Sequence, residues 1–336
     1  MPDHPTRPSR RRLAVALTAL AALTLTACAS TPAQDTDGAA AGEGFPVTVE
    51  HGQGTAEIPR RPQRVVALSW TDVQIADALD VPLVAAVANP DSEDGNWPGV
   101  SLERDLLSLD SVTPDLEEIA SHQPDLILMT AAQPTYSEEY ERISKIAPTV
   151  SFHTALLQDD GDELTRMIGT ATGKAREADA LIEASGEEIE AFRRKLPGLA
   201  GAKVVFAQYY RGSTGAVVTE DAPVVQFFGR LGLTVPDELT RLAGDAAAYG
   251  TVALSDEKLD LLDSADAALV NAPEGEESFS ALPLVRNLRL SGDGTLFFTG
   301  NELASLLLTP NPATTGLLLD QLSEPLSRLA ELRARS

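Results

Sequence analysis

The chain has 336 residues, 26 Lys and Arg against 50 Asp and Glu, a formal net charge of −24, and 43% hydrophobic residues. That apolar content can fill cores and excludes a disordered or collagen-like chain, and a single Cys excludes a disulfide framework. A chain this acidic repels phosphate backbones, so no nucleic acid partner is expected, and four His with one Cys are poor material for a zinc site, so no metal is expected on the protein's own ligands.

Arg7, Arg10, Arg11 and Arg12 precede an apolar run from Leu13 to Ala27 that is too short to cross a bilayer as a helix, which predicts an export signal over residues 1–27. The run ends Leu25-Thr26-Ala27-Cys28, which resembles the bacterial lipobox, and Cys28 is the only Cys of the chain. The resemblance implies cleavage before Cys28, acylation of its sulfur (a palmitate-type lipid) and attachment to the extracytoplasmic face of the cell membrane. Ser9-Arg10-Arg11-Arg12-Leu13 also resembles a twin-arginine signal, and both export routes stay open. Residues 28–44 are small and polar with no large aliphatic, which predicts a disordered tether.

After the tether, short apolar runs alternate with helical segments: Val65 to Leu68, Leu83 to Val87, Leu126 to Met129, Val204 to Ala207, Ala216 to Val218, Ala267 to Val270 and Leu296 to Phe298. Continuous rather than alternating apolar character fits strands buried on both faces of parallel sheets. Thr71 before Asp72 and Ser255 before Asp256-Glu257 are helix-start signals, and the fold class is α/β. Between Leu164 and Leu196, the positions Ile168, Ala171, Ala175, Ala178, Ile182, Ser185, Ile189 and Phe192 recur at spacings of three and four, stopping at Pro197-Gly198. This predicts one long rigid helix over 161–197, roughly 50 Å in length, bracing a lobe of residues 45–160 against a lobe of residues 201–336.

Four segments then carry a resemblance. They are Ile58-Pro59-Arg60-Arg61-Pro62-Gln63-Arg64-Val65-Val66, Pro114-Asp115-Leu116-Glu117-Glu118-Ile119 with Gln123-Pro124-Asp125-Leu126-Ile127, Lys145-Ile146-Ala147-Pro148-Thr149-Val150, and Leu254-Ser255-Asp256-Glu257-Lys258-Leu259. In this order, behind a lipobox and around a long helix, they resemble the substrate-binding lipoproteins of bacterial ABC importers for ferric siderophores, haem and cobalamin. The resemblance implies two Rossmann-like lobes with mainly parallel sheets, one bridging helix and a ligand cleft between the lobes. It also implies a monomer that catalyses nothing, needs no cofactor, takes a ferric siderophore whose iron is already coordinated, and delivers it to a membrane permease with its ATPase. Haem and cobalamin remain the alternatives, as does, from another class, an envelope lipoprotein with hydrolase activity. Gly212-Ser213-Thr214-Gly215 lacks the spacing of a nucleophile elbow, and Asp159-Asp160-Gly161-Asp162 lacks the downstream Glu of a calcium loop.

In open α/β sheets, ligands sit outside the carboxyl ends of the strands. Loops at those positions hold Trp70, Trp97, Tyr136, Tyr209, Tyr210, Arg211 and Tyr249, which are the expected ligand contacts. Arg211 stands out because a guanidinium binds chelate oxygens or a propionate bidentately. His153, at the end of a predicted strand, is a second-rank candidate for the cleft. No Arg precedes Pro114, where the hydroxamate-binding members place one, so the chemical class of ligand stays open. By the same resemblance Glu117 and Glu257, one per lobe on early helical turns, are the expected docking carboxylates for the permease, with Glu118 and Asp256 as adjacent alternatives.

Overall fold

The computed structural model describes residues 44–245 and 250–335. The expected export signal, Cys28 with all but the last residue of the expected tether, and Tyr249 lie outside them.

The body begins with a hairpin of β1 (Val47–His51) and β2 (Gly54–Ile58). Its burial alternates, with Val49, Ala56 and Ile58 turned into the first lobe's core. The first sheet follows with β3 (Val65–Ala67), β4 (Leu83–Val87), β5 (Leu107–Leu109), β6 (Leu126–Met129) and β7 (Thr149–Ser151), in the order β5-β4-β3-β6-β7 with every pair parallel. Successive residues feed opposite layers: Val65, Leu126 and Leu128 join one core cluster, and Val66, Ile127 and Met129 the other. Burial on both faces is why these strands read as unbroken apolar runs.

The second sheet contains β8 (Val204–Tyr210), β9 (Ser213–Val217), β10 (Thr251–Leu254), β11 (Ala267–Asn271) and β12 (Leu296–Thr299), ordered β10-β9-β8-β11-β12. β8, β11 and β12 are parallel, whereas β9 and β10 run antiparallel. Arg211 (φ 52°) and Gly212 (φ 75°) sit between β8 and β9. Two consecutive positive φ values form the tight turn that matches strand twist, so the chain reverses at once instead of crossing over. The segment expected as one more parallel strand, Ala216 to Val218, is therefore the end of a hairpin.

The bridging helix is shorter than its apolar stripe. Residues 161–195 form two helices, Gly161–Thr172 and Ala175–Lys195, separated by Gly173 in the left-handed conformation (φ 71°) with the Lys174 N–H on the Gly169 carbonyl at 2.7 Å. The first helix belongs to the first lobe. The second, about 32 Å long by its 21 residues, crosses between lobes: Ala178 lies in the first lobe's core, Ile189 and Phe192 in the second's. At its middle, Ser185 shares a 2.8 Å hydrogen bond with Thr315, the first residue of the C-terminal helix Thr315–Arg333.

A second tie between the lobes is the segment from Thr309 to Thr314, entered from the helix Asn301–Leu308. Asn311 donates from Nδ2 to Gln74 Oε1 at 2.9 Å, and Thr309 Oγ1 accepts from the Trp70 indole at 2.7 Å and the Thr71 hydroxyl at 2.9 Å. Behind them, Arg230 of the helix Pro223–Arg230 meets Asp162 at 3.3 Å.

Candidate functional site: the cleft between the lobes

The floor of the cleft is built where β3 ends. Ser69 caps the helix Trp70–Ala78: its Oγ accepts from the Asp72 N–H at 3.1 Å and donates to Asp72 Oδ2 at 2.6 Å. This reciprocal cap extends sideways, because Asp72 also accepts the Thr130 hydroxyl at 2.6 Å and the Thr130 N–H at 3.1 Å, tying the loop after β6 to the loop after β3. Asp72 is fully buried, and burial pushes its carboxyl up to about 6 even though these donors pull it down.

That floor holds Trp70 with its indole N–H on Thr309 and its ring lining a cavity of about 190 Å³. From the first lobe the cavity is lined by Trp70, Gln133 and Leu157, and from the second by Gln208, Val217, Thr251 and the start of the helix Pro223–Arg230, with Leu308 and Thr309 between them. On its other side Trp70 packs against Trp97, ring centroids 5.6 Å apart. Trp97 lines a second, outer cavity of about 620 Å³, between the loop from Asn89 to Pro98 and the helix carrying Asn301, Glu302 and Ser305. Asn301 Nδ2 reaches Asp91 at 3.3 Å across this cavity. The outer cavity and the first-lobe side of the inner one lie beyond the carboxyl ends of strands, as the general rule requires, whereas Gln208, Val217 and Thr251 reach the inner cavity from within the second sheet.

Of the aromatic residues expected at the cleft, Trp70 lines the inner cavity. Trp97 is largely buried, its indole donating to the Val87 carbonyl at 2.8 Å, and it supports Trp70 while lining the outer cavity. Tyr136 is a correction: it is 1% exposed, its hydroxyl donates to the Asp110 carbonyl, and burial pushes its phenol further up. Tyr209 is another. Residues 204, 206 and 208 face one side of β8 and Tyr209 the other, where its ring packs on Phe279 at 5.1 Å in the second lobe's core.

Tyr210 returns to the face of Gln208 and is 49% exposed at the hairpin tip. Arg211 lies over its ring at 4.9 Å, and neither residue lines either cavity. His153 is exposed, with its N–H on Asp159 at 2.5 Å. Glu117 and Glu257 are exposed, one on each lobe. Glu117 follows the Asp115 cap, which accepts the Glu117 and Glu118 N–H groups at 3.0 Å each, and Glu257 begins a tight 3₁₀ segment, Asp256–Ser264.

The contacts the sequence reading missed are mostly not aromatic: Gln208, Thr251, Leu157, Thr309 and Asn301. Gln208 had a usable signal, a lone amide inside the apolar strand Val204–Tyr210. Among the described residues, no group of three or more His, Cys, Asp and Glu is arranged to hold a metal ion.

Comparison with known proteins agrees with this architecture. A family model described as periplasmic binding protein matches residues 65–243. The ferric-anguibactin-binding protein FatB of Vibrio anguillarum is 32% identical over 197 residues, covering 54% of this chain and 58% of FatB. The ferric enterobactin-binding periplasmic protein FepB of Escherichia coli is 28% identical over 163 residues, covering 45% and 50%. The chain thus spans between half and three fifths of the length of these curated relatives. Among solved structures, a periplasmic solute binding protein from Mycobacterium smegmatis superposes with a TM-score of 0.68 at 27% identity, covering 84% of this chain and 98% of that one. With the family model matching more than half of the chain and the two-lobed cleft in place, this chain belongs to the periplasmic binding protein family.

Proposed function

We propose that this protein captures a ferric siderophore in the interlobe cleft and presents it to the permease of an ABC importer, acting as a binding protein rather than an enzyme. It works from the extracytoplasmic face of the cell membrane, held there by a lipid on Cys28. The observation that carries the reading is the inner cavity, where the half-buried Trp70 and the amides Gln133 and Gln208 converge from opposite lobes on one site. An indole ring and amide donors suit one flank of a chelate with an apolar perimeter and exposed oxygens. The relatives named for ferric siderophores point the same way.

The haem alternative is weakened, because haem iron takes an axial Tyr or His and Tyr136 and Tyr209 are packed into cores. The test is titration of the purified protein with ferric hydroxamate, catecholate and citrate chelates, haem and cobalamin, read by Trp70 and Trp97 fluorescence and confirmed by calorimetry. Saturable submicromolar binding of one ferric chelate class is expected. Binding of haem or cobalamin alone replaces the ligand, and no binding by any of them refutes the reading.

A further inference from the structure

The charge around the cleft is one-sided. Among the described residues, the outer cavity is lined by Asp91, Glu93, Asp94 and Glu302 and by no Lys or Arg, and the inner cavity by no charged residue. Three of the carboxylates, those of Asp94, Asp91 and Glu302, are held by hydrogen bonds. Asp94 accepts from the Ser92 hydroxyl at 2.6 Å and the Asn96 N–H at 2.9 Å, and these bonds keep its carboxyl down at about 2. Asp91 accepts from Asn301 at 3.3 Å, and Glu302 from Gln321 at 2.6 Å.

Arginines on neighbouring segments are engaged elsewhere. Arg104 is turned to the Glu93 carbonyl on the loop, and Arg211 lies over Tyr210 at the hairpin tip with its own backbone N–H on Glu274. Neither lines a cavity. Trp70 and Trp97, tilted 37° with ring centroids 5.6 Å apart, each line one cavity, so a ligand on Trp70 lies beside the carboxylate wall.

We infer that the cleft selects ferric chelates of zero or positive net charge and rejects polyanionic ones; this rests on the siderophore reading above. A cavity that receives a trianionic tris-catecholate complex needs cations to offset its field, and this one presents four carboxylates instead. Screened at physiological salt, those carboxylates disfavour a trianion relative to a neutral chelate of similar size by at least about tenfold. The neutral hydroxyl and amide groups of the inner cavity still satisfy the oxygens of an uncharged trihydroxamate complex.

The experiment measures Kd of the purified full-length protein for a monocationic linear ferric trihydroxamate, a neutral cyclic one and a trianionic ferric tris-catecholate, at low and high salt. It is repeated on the combined Asp91→Asn, Glu93→Gln, Asp94→Asn and Glu302→Gln variant, whose fold is checked by circular dichroism. The neutral and cationic chelates should bind at least tenfold tighter than the trianion. The variant should narrow that gap several-fold, chiefly by gaining affinity for the trianion, and added salt should narrow it in the wild type only.

Tighter binding of the trianion, or a gap that the variant leaves untouched, overturns the charge inference and leaves the siderophore reading standing. Binding of no ferric chelate overturns both, beginning with the reading beneath.

Discussion

Asp72 gives the sharpest test of how the cleft floor is built. Its carboxyl is raised from 3.8 to about 6, chiefly because it is fully buried. In the window from about pH 4 to about pH 6 the native state holds a proton that the unfolded chain has released. Stability from this group is therefore fully present below the unfolded value and is lost as pH rises through the folded one. At about 1.4 kcal/mol per pH unit, the loss is about 3 kcal/mol.

Asp72→Asn removes the titration while keeping the network satisfiable: its amide oxygen accepts from the Thr130 N–H and hydroxyl, and its NH₂ donates to Ser69 Oγ. Urea unfolding of both proteins from pH 4 to pH 7, followed by circular dichroism, isolates the effect as a difference. Groups common to both cancel, including His51, whose imidazole burial holds below its ordinary value. The stability of the variant relative to the wild type should rise by about 3 kcal/mol across that range and then level off. A difference that stays flat with pH would show that Asp72 is ionised in the fold at little cost, and that its hydrogen bonds rather than its burial dominate.

Gly161→Ala should destabilise the protein by about 1–3 kcal/mol, read as a lowered urea midpoint, because a Cβ there would meet the Pro310 carbonyl oxygen at 2.2 Å and Asn311 Cα at 2.7 Å, backbone atoms that cannot swing away. An unchanged midpoint would show that the helix and the interlobe segment are loosely apposed. Glu117→Ala with Glu257→Ala should leave ligand affinity within about twofold of wild type, since both residues are exposed and absent from both cavities, while reducing ligand uptake by cells at least tenfold; normal uptake would remove these residues from the docking surface. Cys28→Ala should shift the protein from the membrane to the soluble fraction, and retention at the membrane would mean another anchor.

Much of the body was legible because burial leaves a trace in residue order. Strands covered on both faces, such as Leu126–Met129 and Ala267–Asn271, must be apolar at every position, so their limits were read within a residue or so. The helix starts were placed close by, at Thr71 and Ser255, but the side chain that caps the first helix is Ser69, two residues earlier, and Ser255 precedes its 3₁₀ segment without a side-chain cap bond.

The hairpin Val47–Ile58 was missed because one covered face gives an alternating pattern interrupted by polar residues and Gly. The stripe from Leu164 to Leu196 was read as one helix because both halves face buried cores, and periodicity does not register a break when Gly173 leaves the phase nearly intact. The aromatic residues failed differently. Tyr136 and Tyr209 both sit in the right loop or strand end, yet a one-residue change of parity along β8 turns Tyr209 into a core while Gln208 faces the cleft.

The order of residues therefore determined the α/β class, the acidic character and the strand ends from which a site is assembled, since these depend on composition and local periodicity. Only the tertiary structure decided which side chains at those ends line the cleft, because that depends on strand parity, on the reversal at Arg211-Gly212 and on contacts such as Trp70 with Thr309, whose partners lie more than two hundred residues apart.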